Sequence, residues 1–480
     1  MSFKSVSKLT PNNFEADNHF YDKALNAQIH PLVNYFFHLD HERIIERYVH
    51  LNPTVCKNTL KSILSYRPKY FYWGGSDLFY VTTEQGNRRM VTIETNSCPS
   101  GQKSMPALSD NDEWRGYKQL MEHSFLPALK GKKLPKGAFA IIFDKNYMET
   151  SGYAQTLADL TGEEVYLVPH MNNGAQFLEN RNGVLTIVDK SLGEIPIKAA
   201  FRYLTQKPWN RLPINTKTFI YNPILVCLAG GRNKLVASKA YELYNSELSD
   251  SGLKINFPQT IRDVSKNEIP LWIENFGGHG VIKIPYSNAG QGVFTITSQK
   301  ELDDFMKLDF HYDCFIVQSL IGHYAWSSRS NDGRFYHIGT VPNKKKNIYV
   351  ADLRMMVHSG KNGFRPCAIY ARRAKSPLKE VSPNDGESWS VLGTNLSIAK
   401  GENLWDSDTN RLMLMDRKDF NQLGIGIDDL LDAFIQTSLS IIAIDKMCIR
   451  LINSKGLFRK KLFRSLDNDQ ALMNEIESGN

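Results

Sequence analysis

No apolar run in this 480-residue chain approaches the roughly 20 residues that span a bilayer, so no membrane partner is expected. The first residues, Met1–Asn12, lack the apolar core of a secretory leader. Cysteine is scarce and scattered: Cys56, Cys98, Cys227, Cys314, Cys367 and Cys448 show no paired metal spacing. That usage reads as reduced thiols in a cytoplasmic protein. No internal repeat or low-complexity segment is present, and neither a Ser/His/Asp nor a Cys/His set stands out. Charge of one sign does not dominate, since 58 Lys and Arg face 50 Asp and Glu for a net +8. Part of the excess falls in Arg450, Lys455, Arg459, Lys460, Lys461 and Arg464. We read these as a solvated helix face ahead of a nucleic-acid or anionic-lipid contact, and no nucleic-acid partner is expected. A ligand carrying several phosphates or carboxylates would also suit a mildly basic chain.

A hydrophobic content of 42% with 22% charged residues fits a soluble globular protein, and the length implies two or three domains. The pattern divides into a helical region over 1–69, a hairpin and helix over 70–133 and an α/β unit over 134–222. A lysine and glycine-flap lobe over 223–340 and a final lobe with helices over 341–480 complete the division. In the α/β unit, Ala138–Phe143 and Glu164–Val168 read as strands around a Gly152–Leu160 helix, with Asp144 and Lys145 in a loop at the strand end.

The stretch Val91–Gly101, V-T-I-E-T-N-S-C-P-S-G, organises the rest. Alternation places Met90, Thr92, Glu94 and Asn96 on one face of a strand, and Pro99–Gly101 ends it. Gly74–Val81 is a second strand carrying Asp77. Asp77, Glu94 and Asn96 on adjacent strands make a magnesium platform, and a solvated surface hairpin is the competing reading. Cys98 in that loop is read as small and structural.

Val281–Ile296 reads as a strand bearing Lys283, a small loop with Gly290, Gln291 and Gly292, and a returning strand. Small residues let backbone N–H groups approach phosphate oxygens, and Lys283 adds a point charge. Gly230-Gly231 leads into a helix with Arg232 and Lys234 at its start, a second place for an anion. The Cys314–Leu320 strand ends in Gln318, Ser319 and Leu320, whose backbone suits a purine edge. Tyr349–His358 presents Asp352 and Arg354, Cys367–Ala374 ends in Arg372 and Arg373, and Leu392–Gly401 carries Asn395. Arg202, ending the Ala199–Tyr203 strand, suits an anionic substrate group, with a structural ion pair as the alternative. His279 reads as a turn residue. Asp428–Ile444 repeats apolar residues at helical spacing, and its Asp445 neighbour caps or pairs locally.

Together these motifs resemble the ATP-grasp superfamily of carboxylate–amine (or thiol) ligases. Lys283, the Gly290/Gly292 flap, Gln318, Asp352/Arg354, Arg372 or Arg373 and Thr394-Asn395-Leu396 follow the family order. The E-T-N-S-C-P-S-G element lies early rather than last, which is the order of a circular permutation. Eukaryotic-type glutathione synthetases and glutathionylspermidine-synthase-like proteins are similar in this respect. Departures are Gln318 where an acidic residue is common, a flap poorer in glycine, and unmatched substrate loops.

The resemblance implies an α/β ATP-grasp fold with an added βαβ substrate domain. It implies ATP and Mg2+, with Asp77, Glu94 and Asn96 as metal ligands. Lys234, Lys283, Gly290, Gln291, Gly292, Gln318, Ser319, Leu320, Asp352 and Asn395 would lie at the nucleotide. Arg354, Arg372 or Arg373 would serve the transferring phosphoryl, and Arg202 would orient the acid. The expected activity is ADP-forming ligation of a small acid or peptide to an amine (or thiol) through an acyl phosphate. A small-molecule kinase or a non-catalytic nucleotide-binding module are the alternatives. A homodimer is implied by the similar glutathione synthetases.

Overall fold

The structure, a computed structural model, describes residues 5–109, 112–171, 176–287, 290, 292–383, 386–401 and 404–478. Gln291 therefore lies outside the described residues. The architecture is mixed α/β, and among the described residues the larger sheets have seven, six and four strands. No helix among them is long and apolar enough to cross a membrane.

The six-stranded sheet joins the two ends of the chain. Its central strand, Trp73–Thr83, pairs antiparallel with Arg88–Asn96 on one edge and with Ala351–Gly360 on the other. Ala351–Gly360 pairs in turn with Gly363–Arg373. The early hairpin is thus not a surface hairpin; Leu78, Val81, Met90 and Val91 are completely buried. Its alternation is broken once. Asp77 pairs with Glu94 but Leu78 with Thr92, so Ile93 is an extra, bulged residue. The bulge corrects the single-face reading. Glu94 and Asn96 share the Asp77 face, whereas Met90 and Thr92 turn to the Leu78 and Tyr80 side, where Met90 joins the main core.

The Ile427–Arg450 helix packs along this sheet. Leu430, Leu431, Phe434, Ile435, Leu439 and Ile442 are all buried, as their helical spacing requires. The helix runs beyond the expected Ile444 and includes Asp445, whose role is not local. Asp445 accepts from the Tyr66 hydroxyl (2.9 Å) and from the backbone N–H groups of Lys69, Tyr70 and Phe71 (3.0, 2.7 and 2.9 Å). Buried carboxylates persist where such donors satisfy them.

In the seven-stranded sheet, Ala138–Phe143, Val165–Pro169, Gly193–Tyr203 and Phe219–Tyr221 run parallel. The connecting helix spans Tyr147–Thr161, beginning well before the expected Gly152. Asn146 adopts a left-handed conformation (φ 57°), which turns the chain straight from strand into helix and removes the long loop. The four-stranded sheet runs Thr260–Ser265, Cys314–Gln318, Gly280–Lys283, Val293–Ile296, all antiparallel. It has its own core, with Ile282, Val317, Phe305 and Phe315.

Candidate active site

A narrow cleft opens where the four-stranded sheet meets the early hairpin. Glu94, Arg232, Lys234, Lys283 and Gln318 line it. The Lys283 strand supplies one wall because its side chain alternates away from the Ile282 core, and the Nζ reaches across to the carbonyl of Ile93 (3.3 Å). Burial pushes the Lys283 amine down to about 8, although Glu94 acts to raise it. Lys234 is the first residue of the Lys234–Glu247 helix, and its Nζ donates to the Ser287 carbonyl (2.8 Å) and lies 3.4 Å from Glu94 Oε1. Burial opposes ionisation of Glu94, but Lys234, Arg232 and Lys283 together overcome it and hold the carboxyl below its ordinary range.

Beside the cleft, register aligns Glu94, Asp77, Arg354 and Tyr370 across four strands, with Asp352 and Arg372 paired in the same sheet. Arg354 grips Asp77 with two bonds (2.5 and 2.7 Å). Arg372 lies 2.8 Å from Asp77 Oδ2 and grips Asp352 through Nε (3.0 Å) and Nη2. Burial would raise the Asp77 carboxyl, yet the two guanidinium groups hold it well below the usual carboxylate range. Both Asp77 oxygens are therefore spent on arginine. Among the described residues no group of three or more His, Cys, Asp or Glu side chains could hold a metal ion. What remains toward magnesium is Glu94 with the amide oxygen of Asn96; the Asn96 amide nitrogen, buried without a hydrogen-bond partner among the described residues, is a donor and suits a phosphate oxygen rather than a cation. Two protein donors fit magnesium completed by waters and phosphate oxygens, and do not fit a cation caged by protein alone.

Other expected residues fall into two groups. Gln318 lines the cleft and donates to Thr260 Oγ1 (2.7 Å), while Ser319 N–H binds Gln259 O (2.9 Å) and Leu320 N–H binds Ser328 Oγ (2.7 Å). Gly290 has φ +76°, and a Cβ there would sit 2.9 Å from Asn395 Nδ2, so flap and Asn395 are brought together. Gly292 is as tightly enclosed, by Ser287. Arg373 points elsewhere and stacks 4.5 Å over the Tyr349 ring. Arg202 is completely buried and gives its donors to Asn222 O (2.7 Å), Leu204 O (2.9 Å) and Ser97 Oγ (3.0 Å). It holds the loop after the hairpin and, among the described residues, has neither the ion pair nor the open anion site expected of it.

That loop is also tied by a residue the sequence reading passed over. Glu149 is fully buried and accepts from Ser100 Oγ (2.7 Å), Gly101 N–H (3.0 Å) and Gln102 N–H (3.1 Å). Little in the sequence marks it, because the helix that carries Glu149 also carries the polar Gln155 and the acidic Asp159. Asp144 is likewise committed, to Arg211 (2.6 Å) and to Thr205 and Gln206 N–H groups (2.8 and 2.9 Å). Cys98 is buried 3.3 Å from Arg232 Nη2; burial would raise its thiol, but Arg232 and Arg202 hold it below its ordinary value.

No family model and no curated relative matches the chain. Among solved structures, a glutathione synthetase-like effector from Globodera pallida overlaps 71% of this chain and 81% of its own, at 8% identity and TM-score 0.35. A RimK domain ATP-grasp protein from Sphaerobacter thermophilus overlaps 48% and 90%, at 14% identity and TM-score 0.29. D-alanyl-alanine synthetase A from Vibrio cholerae overlaps 55% and 95%, at 12% identity and TM-score 0.27. Overlaps this slight carry no argument about this chain, and the functional reading rests on its own residues.

Proposed function

We propose that the chain is an ATP-dependent, ADP-forming ligase of circularly permuted ATP-grasp type, joining a small acid or peptide to an amine or thiol. The observation that supports this most is Lys283: a buried ammonium with one carbonyl partner among the described residues, facing the same cleft as Glu94 and Lys234. A charge kept under-paired away from water invites an anion, and two lysines beside one carboxylate suit phosphate oxygens with a bridging cation.

On this reading Lys234 and Lys283 hold the phosphates, the Gly290 flap covers them, and Gln318–Leu320 meet the base. Glu94 and Asn96 would hold magnesium, which when bound offsets repulsion among the phosphate oxygens. The γ-phosphoryl passes to a carboxylate oxygen of the acid, and ADP leaves. The amine or thiol then attacks the acyl carbon and loses a proton, and inorganic phosphate departs. Arg354 and Arg372, held in place by Asp77 and Asp352, point guanidinium donors toward the transferring group and the tetrahedral oxyanion. Asp77 acts through these arginines, and Arg202 acts by holding the Ser97–Leu204 surroundings.

The test is a phosphate-release screen of ATP with panels of acids and amines, products read by mass spectrometry. Free phosphate should require both co-substrates, and Lys283→Met should lower turnover about 10²–10³-fold. A stable phosphorylated product without free phosphate would make the chain a kinase and overturn the ligase reading.

A further inference from the structure

We propose that Asp467, outside the cleft, is a positioning residue that sets both phosphate-binding lysines, making the C-terminal segment part of the nucleotide site. The proposal rests on the reading of Lys234 and Lys283 given above. Asp467 is 1% exposed. Its Oδ2 accepts from Asn233 Nδ2 (2.7 Å) and from the Tyr286 hydroxyl. Asn233 immediately precedes Lys234 and caps its helix, the Oδ1 accepting from Val236 N–H (3.0 Å). Tyr286 lies three residues beyond Lys283, at the base of the flap. Around it, Lys234 N–H binds Pro285 O (3.1 Å) and Lys234 Nζ binds Ser287 O (2.8 Å). One carboxylate oxygen therefore ties together the two segments that carry the lysines.

Asp467 is itself anchored from behind. Asp469 caps the Gln470–Ser478 helix through Leu472 N–H (3.1 Å). Glu475 on that helix pairs with Lys207 and accepts from Trp209 Nε1 (2.8 Å) and Tyr312 OH (3.2 Å). Trp209 and Tyr312 both pack on the Tyr286 ring, at centroid distances of 5.8 and 4.7 Å. The helix thus bridges the four-stranded sheet and the loop between the Gly193–Tyr203 and Phe219–Tyr221 strands of the parallel sheet, and it fixes the carboxylate between them. Burial raises the Asp467 carboxyl, opposed by its bonds from Tyr286 and Asn233; hydrogen bonds rather than a cation hold it. Such a carboxylate is costly to bury, which argues for a role beyond filling space.

The test compares Asp467→Ala with Asp445→Ala, another buried carboxylate bonded to backbone and tyrosine, in the full chain. Two readouts are taken well below the unfolding temperatures: acetylation rates of individual lysines without nucleotide, and the ADP dissociation constant. Asp467→Ala should change labelling at Lys234 and Lys283 about threefold or more and weaken ADP about tenfold. Asp445→Ala should lower Tm while moving neither. Asp467→Asn, which keeps an oxygen acceptor, should restore most of both. Tyr286→Phe, removing one of the two bonds, should show the same changes at smaller size and serves if Asp467→Ala does not fold. Unchanged lysine labelling and ADP affinity in a folded Asp467→Ala or Tyr286→Phe protein would overturn the proposal. A wild-type protein that binds no ADP would instead overturn the function, and lysine labelling would still decide this inference.

Discussion

The Asp77–Arg354–Arg372–Asp352 cluster and the Lys283–Lys234–Glu94 cleft are neighbours on the same early hairpin, yet their charges are handled in opposite ways. In the first, every guanidinium meets a carboxylate, and each carboxylate is gripped through two bonds. In the second, Lys283 has a single carbonyl partner among the described residues, and Lys234 approaches Glu94 only to 3.4 Å. A saturated network is rigid and loses much when one member is removed. An under-paired buried cation holds unused electrostatic energy that a ligand can claim. The difference separates a pre-paired, rigid part of the proposed site from the part left open to a ligand more clearly than residue type does, because both clusters contain the charges a phosphate chemist would pick.

The largest expected effect breaks the saturated cluster. Asp77→Ala leaves two buried guanidinium groups short of a partner and should cost about 3–5 kcal/mol of stability, read from urea unfolding. A loss no larger than that of a surface salt bridge would show that the arginines reach water or other acceptors.

A second prediction concerns pH. The Lys283 amine ordinarily titrates near 10.5 and is pushed down to about 8 in the folded chain. Between those values the unfolded chain binds the extra proton, so this lysine makes stability rise with pH from about 8 upward, by about 3 kcal/mol at most. Below pH 8 the buried charge exerts its full cost. Lys145 is pushed the same way, also to about 8, so the comparison is wild type against Lys283→Met. The variant should be the more stable at pH 7.5, and its advantage should shrink by pH 10. A difference that stays constant with pH would mean that Lys283 is paired after all.

The smallest effect is at the flap. Gly290→Ala forces a Cβ into a left-handed residue and to 2.9 Å from Asn395 Nδ2. It should weaken ADP binding by about 1–2 kcal/mol, with little change in Tm, because the strain falls on a turn outside the core. An equal loss in Tm would place that turn in the scaffold instead.

Much of this was legible in advance. The Lys283 hairpin, the Gly290 turn and the two arginine strands were all readable, because strand alternation and glycine turns are encoded locally. The long apolar helix was readable for the same reason, as its period is fixed within a few turns. The bulge at Ile93 was not, since V-T-I-E-T alternates well enough without it and only the partner strand reveals the extra residue. The early start of the Tyr147–Thr161 helix depended on one left-handed Asn146, which sequence alone does not demand.

By itself, the sequence determined which residues carry charge, which strands present them and the order in which they occur, all properties of neighbours along the chain. Only the tertiary structure decided their use. It spent Asp77 on two arginines, buried Arg202 under backbone carbonyls and left Lys283 facing a cleft with Glu94. The reason is physical: a side chain's partners and its exposure to water are set by segments that can lie 190 residues away, as Lys283 and Ile93 do.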